Sequence, residues 1–213
     1  MRTLLFDLDG TLVDSIPLWI DANLQTLKKW KIVMDAQEFL TEFYQQGLHH
    51  HGIVEKCGLS TEMADEFYEE RNALFEKLLR EKVEWMGTAG KVLKACAKRM
   101  PLGLMTGATR ECIDAMDQRL HLSILFRAIV TYDDTGLRMK PNPYGLLLLT
   151  EKLGVDPEEC MYVGDQTVDV QAARAIGMKS CLIPTSSTPE GAAEMADHVL
   201  GSMEELRNIL RDA

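Results

Sequence analysis

Short apolar runs without polar alternation punctuate this chain. They are Thr3–Phe6, Leu102–Met105, Ala128–Tyr132, Met161–Val163 and Cys181–Ile183. Runs this short and unalternating suit strands buried on both faces. Each stops at a polar or turn-forming residue: Asp7, Thr106-Gly107, Asp133-Asp134, Gly164-Asp165 and Pro184. Helical patterns with start and stop signals separate the runs. Thr109 can cap a helix running to about His121, and Asn142 before Pro143 begins another that Gly154 ends. Strand alternating with helix predicts an α/β fold built on a doubly wound parallel sheet.

One interval breaks the rhythm. Between the first strand and a helix near Thr88–Arg99 lie about 70 residues that read as helical throughout, with helices expected at 17–30, 35–46, 49–57 and 60–83. The last carries Met63, Phe67, Tyr68, Leu74, Phe75, Leu78 and Leu79, mostly three or four apart, and Ser60 is its natural N-cap. A single crossover helix does not need this length. The reading is a small helical domain over 16–85, inserted into a core made of 1–15 and 86–213. Its ends are expected near the C-terminal edge of the sheet, where α/β proteins bind ligands.

Composition narrows the function. The net charge of −10 argues against a nucleic-acid backbone as partner, although local cations in one cleft still allow an anionic substrate. No stretch is apolar for the roughly 18 residues of a membrane span, and the N-terminal apolar run meets an acid too early for a secretory signal. Five scattered cysteines, Cys57, Cys96, Cys112, Cys160 and Cys181, form no CxxC pair. They suit buried thiols in a reducing cytoplasm rather than disulfides or a zinc site.

The chemistry sits at the strand ends. In a parallel sheet these share one edge, so distant residues converge there. Asp7 and Asp9 in FDLDGT are two apart, which in extended chain turns both side chains the same way. Paired carboxylates repel, and a hard divalent cation relieves that. Asp165 in GDQTVD can add a third oxygen ligand, the pattern of Mg²⁺, while Gly10 permits a tight turn beside the site. Thr106, the backbone N–H of Gly107 and the ammonium of Lys140 supply donors for phosphoryl oxygens. Positioning and charge neutralisation dominate phosphoryl transfer, and a carboxylate can serve as its nucleophile.

Taken together, FDLDGTLVDS (6–15), MTG (105–107), KPNP (140–143) and GDQTVD (164–169) resemble the four ordered motifs of the haloacid dehalogenase superfamily. The insertion after the first motif is similar to the helical cap of the subfamily that includes phosphoglycolate phosphatases and β-phosphoglucomutases. EWMGTAGKVLKA (84–95) resembles the return from cap to core. The resemblance implies Asp7 as nucleophile and metal ligand, and Asp9 as acid/base with its backbone carbonyl on the metal. It implies Thr106 and Lys140 as phosphate binders, Asp165 as metal ligand and Asp169 as an acidic partner nearby. An acid at Asp9 argues against the dehalogenases proper. Gly107 departs from the Asn that many relatives carry, so only a backbone donor remains there.

Single motifs are weak. Asp-Leu-Asp-Gly alone reads as a turn, Lys140 alone as a solvated lysine, and Asp165 and Asp169 as helix N-terminal acids. Only their joint order lifts them. His49, His50 and His51 read as a polar surface rather than a zinc site, because consecutive side chains diverge. Trp19, Trp30 and Trp85 read as packing, and Glu66, Glu69, Glu70 and Arg71 as a solvated helix face. The expectation is a monomeric or weakly dimeric Mg²⁺-dependent phosphatase for a small phosphate monoester, with phosphoglycolate, sugar phosphates and nucleotides all open. Two alternatives remain. One is a sugar-phosphate mutase, against which stands Trp19 where similar mutases carry histidine. The other is a catalytically silent phosphate-binding or signalling protein.

Overall fold

In a computed structural model, residues 2–209 are described except Gln45, Gly47 and His49, with backbone only at 208 and 209. Six parallel strands form one sheet in the order β3-β2-β1-β4-β5-β6. They are β1 (Thr3–Phe6), β2 (Leu102–Met105), β3 (Ala128–Val130), β4 (Cys160–Gly164), β5 (Lys179–Leu182) and β6 (His198–Val199). The central strands are dry on both faces: Leu4, Leu5, Phe6, Leu104 and Val163 are all fully buried. Their continuous apolar runs follow from that burial. Strand β3 ends at Val130, two residues short of the expected Tyr132, because Thr131 leaves the ladder to cap the next helix. Its N–H and its hydroxyl both donate to Asp134 Oδ2, at 2.9 and 3.1 Å.

The order reverses direction at β1. From β1 the chain winds outward through β2 to β3, then returns to β4 on the other side of β1. Loops leaving the C-terminal ends of β1 and β4 therefore part at this switch point, where such sheets leave a crevice. The chain divides into two compact units, Met1–Asp14 with Glu84–Ala213, and Ser15–Val83.

Among the described residues, the second unit's regular structure is helical: α1 (Ile16–Lys29), α2 (Ala36–Phe39), α3 (His50–Lys56) and α4 (Ala64–Lys82). The expected helix over 35–46 shortens to α2 and then widens into a π-helical turn over Leu40–Tyr44. The unit has a core of its own, in which α1 and α4 meet around Ile20, Leu27, Phe39, Ile53 and Phe67. Trp19 packs on Phe39 and Tyr44, and Trp30 on Phe67. Arg71 is not on a solvated face as expected. It is buried, its guanidinium over the rings of Trp19 and Tyr68, since an Arg plane can replace water by aromatic faces.

The first unit adds α5 (Ala89–Cys96), α6 (Arg110–Leu120), α7 (Leu122–Leu125), α8 (Tyr132–Thr135), α9 (Tyr144–Leu153), α10 (Thr167–Arg174), α11 (Ala192–Met195) and α12 (Leu206–Ile209). Helix α6 begins as expected, with Thr109 Oγ1 accepting from the Cys112 N–H, and Gly154 ends α9 in the left-handed region. All five cysteines are free. Burial pushes the Cys160 thiol up to about 11 and Cys181 to about 12, which leaves both unreactive at neutral pH. No described helix is long and apolar enough to cross a membrane.

Candidate active site

The site is assembled in the first unit from the ends of β1, β2 and β4 and the loop before α9. Strand β1 delivers Asp7, whose N–H still pairs with Val163 O at 2.9 Å. Lys140 reaches in from the loop and is the hub. Its ammonium donates to Asp7 Oδ1 at 2.6 Å, to Asp169 Oδ1 at 2.6 Å and to the Tyr162 hydroxyl at 3.1 Å. Asp169 is fixed in turn by the Gln166 N–H, 2.9 Å from its Oδ2, as part of a capping box that starts α10. Gly164 has to be glycine here, because a Cβ would collide with the Asp169 carboxylate.

Asp9 has a different neighbour. The Thr106 hydroxyl donates to Asp9 Oδ2 at 3.2 Å and accepts from the Ala108 N–H at 3.0 Å. Among the described residues the Gly107 N–H has no acceptor. It is a donor free for a ligand oxygen beside Thr106. Gly10 turns the chain with φ +82°, and a Cβ there would lie 3.0 Å from Asp165 Oδ2. Only glycine lets the first loop pass that close to the second acidic motif.

Burial sets the electrostatics. It pushes the Asp7 carboxyl up, to about 8, against the pull of Lys140, and the charges of Asp169 and Asp9 add to the rise. Burial also works against the Lys140 charge, but Asp7, Tyr162 and Asp169 outweigh it and hold the ammonium well above the usual lysine range. Asp165 is raised by burial despite hydrogen bonds from Gln166 and Thr11. Four acids thus meet one lysine, and the excess of negative charge calls for a cation.

The donor set fits a hard metal ion. Asp7, Asp165 and Asp169 bring carboxylate oxygens within 4.8 Å of one another. Both oxygens of Asp169 already accept one hydrogen bond, from Lys140 and from the Gln166 N–H, and both of Asp165 do too, from Thr11 and the Gln166 side chain, so each keeps a further lone pair for an ion. Asp7 keeps one carboxylate oxygen with no donor among the described residues. Asp165 is held by Thr11 Oγ1 at 2.8 Å and Gln166 Nε2 at 2.5 Å. Hydrogen-bonded carboxylates of this kind are oriented ligands, and oxygen-only donors favour Mg²⁺ over zinc.

Four residues near these acids carry no role in the sequence reading: Tyr162, Thr11, Gln166 and Thr188, whose hydroxyl donates to Asp165 O at 2.6 Å. Tyr162 had one usable signal, a phenol in an otherwise buried run, which must find a partner. Elsewhere, the rings of His50 and His51 lie 4.5 Å apart, with Asp65 close enough to share an ion with them. His49 lies outside the described residues. His51 and Asp65 are exposed, and the His50 ring packs on Tyr68.

The chain matches the haloacid dehalogenase-like hydrolase family over residues 4–183. It is 30% identical to the pyrophosphatase PpaX of Bacillus velezensis, over 98% of this chain and 96% of that one. It is 27% identical to the phosphoglycolate phosphatase of Escherichia coli, over 84% and 80% of the two chains. Among solved structures, CbbY from Rhodobacter sphaeroides in complex with phosphate superposes with a TM-score of 0.80, at 20% identity and over 97% and 96% of the chains. That likeness bears on the fold alone.

Proposed function

Because this chain belongs to the haloacid dehalogenase-like hydrolases, we propose that it is a Mg²⁺-dependent phosphatase acting on a small phosphorylated metabolite through an aspartyl phosphate. The observation that carries this reading is the different setting of two nearby acids. Asp7 is buried and tied through one oxygen to Lys140, whereas Asp9 lies against the Thr106 hydroxyl. A nucleophile needs the first setting and a proton carrier the second.

In the proposed reaction a carboxylate oxygen of Asp7 attacks phosphorus. The bond from phosphorus to the leaving oxygen breaks, and Asp9 gives that oxygen its proton. Water then attacks the phosphorus of the aspartyl phosphate while Asp9 takes a proton from it; the bond from phosphorus to the Asp7 oxygen breaks, which releases inorganic phosphate and restores both acids. Thr106 and the Gly107 N–H hold the phosphoryl oxygens, and Lys140, expected as a phosphate binder but with its three donors spent on Asp7, Asp169 and Tyr162, contributes its positive charge. Lys140 also keeps Asp7 aimed, with Asp169 holding the lysine. Asp7, the Asp9 backbone carbonyl and Asp165 would hold Mg²⁺, which when bound supplies positive charge to the phosphoryl oxygens and to the paired acids. The helical unit over 15–83 acts as a substrate-selecting cap. The relatives named above for pyrophosphate and phosphoglycolate point to small, strongly anionic substrates.

The test is turnover of p-nitrophenyl phosphate by metal-stripped protein. EDTA should abolish it and Mg²⁺ restore it; full turnover without metal overturns the reading. Phosphate release across a metabolite panel that includes pyrophosphate and phosphoglycolate then identifies the substrate.

A further inference from the structure

We propose that the Tyr162 hydroxyl is a positioning group for this reaction: it fixes the Lys140 ammonium, and through it holds Asp7 by Oδ1, which sets how the carboxylate is aimed at phosphorus. This inference rests on the phosphatase reading above. It concerns a residue on β4, three positions before Asp165, whose side chain is buried beneath the acids.

An ammonium has three donors, and here each has an acceptor: Asp7 Oδ1, Asp169 Oδ1 and the Tyr162 oxygen. Two acceptors would leave the group free to turn about the line between them and to slide toward either carboxylate. A third, off that line, removes the freedom. The third acceptor must itself be fixed, and it is. The Tyr162 hydroxyl donates to the backbone carbonyl of Met105 at 3.1 Å, which directs its lone pairs away from that carbonyl and toward Lys140.

The chain of bonds joins three segments. Met105 is the last residue of β2, next to Thr106. Tyr162 sits on β4 and pairs in register with Leu5 of β1, two residues before Asp7. Lys140 arrives on a loop, which is less rigid than the two strands. The phenol therefore ties a loop-borne cation to the backbone of the sheet. Among the described residues, Lys140 is the sole donor to the Asp7 carboxylate, and it takes Oδ1. Where the lysine stands thus decides which way Asp7 faces.

A purely structural role makes a different prediction. If the hydroxyl only satisfies Met105 O, its loss lowers stability and leaves chemistry alone. Tyr162→Phe keeps the ring and removes the hydroxyl. In the Mg²⁺-loaded full chain, we expect kcat for p-nitrophenyl phosphate to fall about tenfold, because a nucleophile misaimed by a fraction of an ångström loses rate steeply. KM should stay within about twofold, and rapid acid quench should place the loss in formation of the phosphoenzyme. Leu149→Val, in the same core cluster but away from Lys140, should lower the melting temperature without that kcat loss. If Tyr162→Phe folds poorly, 4-aminophenylalanine at position 162 keeps the ring and a donor to Met105 O but is a weak acceptor for an ammonium. It should show the same kcat loss. A wild-type chain with no turnover and no phosphoenzyme sinks the phosphatase reading. A wild-type chain that turns over, beside a folded Tyr162 variant with unchanged kcat, sinks this inference alone.

Discussion

Asp7 and Asp9 are the same residue type two positions apart, and their neighbours make their substitutions fail differently. Asp7→Asn removes the proposed nucleophile and should prevent any covalent phosphoenzyme. Asp9→Asn keeps the nucleophile and loses the proton carrier. With p-nitrophenyl phosphate the leaving group needs little protonation, so formation of the intermediate should suffer less than its hydrolysis. Intact-mass measurement after rapid acid quench should find an adduct of about 80 Da on Asp9→Asn and none on Asp7→Asn, since a phosphoryl group replaces a proton. An adduct retained in Asp7→Asn contradicts the assignment. The gathering of Asp7 and Lys140 was legible in the sequence for a simple reason: Asp7 stands where an apolar run ends and Lys140 in the loop after another, whereas Asp169, in the first turn of α10, was marked only as part of the GDQTVD motif. Tyr162 was missed, because it lies inside such a run, where a buried aromatic looks like core and only its phenol hints at a partner. So were Gln166 and Thr188, which are ordinary polar residues until the fold places Asp165 between them.

At the scale of elements, the strands with long dry runs could be read and the last could not. Strand β6 has two residues, both exposed, so no hydrophobic pattern marks it. Side-chain bonds support its pairing with β5. Asp197, just before β6, accepts from the Ser180 N–H at 3.0 Å, the Ser180 hydroxyl at 2.9 Å and Lys179 Nζ at 3.0 Å. The Ser180 backbone donor comes first among the groups that hold its carboxyl down at about 2. A carboxyl depressed in the folded state stabilises the fold above its unfolded pKa near 3.8 and stops doing so as pH falls through about 2. The group is partly exposed, so solvent screening discounts its contribution to about 1 kcal/mol. Asp197→Asn should therefore lower stability by about that much at pH 6, and the gap between variant and wild type should close between about pH 4 and pH 2. Urea unfolding across that range measures it. A gap that widens on acidification contradicts the mechanism.

At the scale of the whole molecule, every residue of the proposed chemistry lies in one unit. Asp7, Asp9, Thr106, Lys140, Tyr162, Asp165 and Asp169 all fall within 1–14 and 84–213, and none within 15–83. Each unit also has its own hydrophobic cluster. The chain enters and leaves the helical unit at neighbouring points: Val13 forms an antiparallel bridge with Trp85, and the Met86 N–H donates to Leu12 O at 2.8 Å. A tight turn can thus replace 15–83 with little loop-closure entropy, since short loops between paired ends cost least. The shortened chain, Asp14 joined to Glu84 through Asn-Gly, should keep the parallel sheet and show a cooperative thermal transition. If selection is the cap's work and chemistry the core's, it should still form a Mg²⁺-dependent phosphoenzyme with p-nitrophenyl phosphate while losing discrimination among metabolites. Circular dichroism, acid-quench mass measurement and the same phosphate-release panel report on the three points separately. A folded core that forms no phosphoenzyme would mean that residues 15–83 contribute to the chemistry itself, and a core with undiminished selectivity would remove the cap from substrate choice.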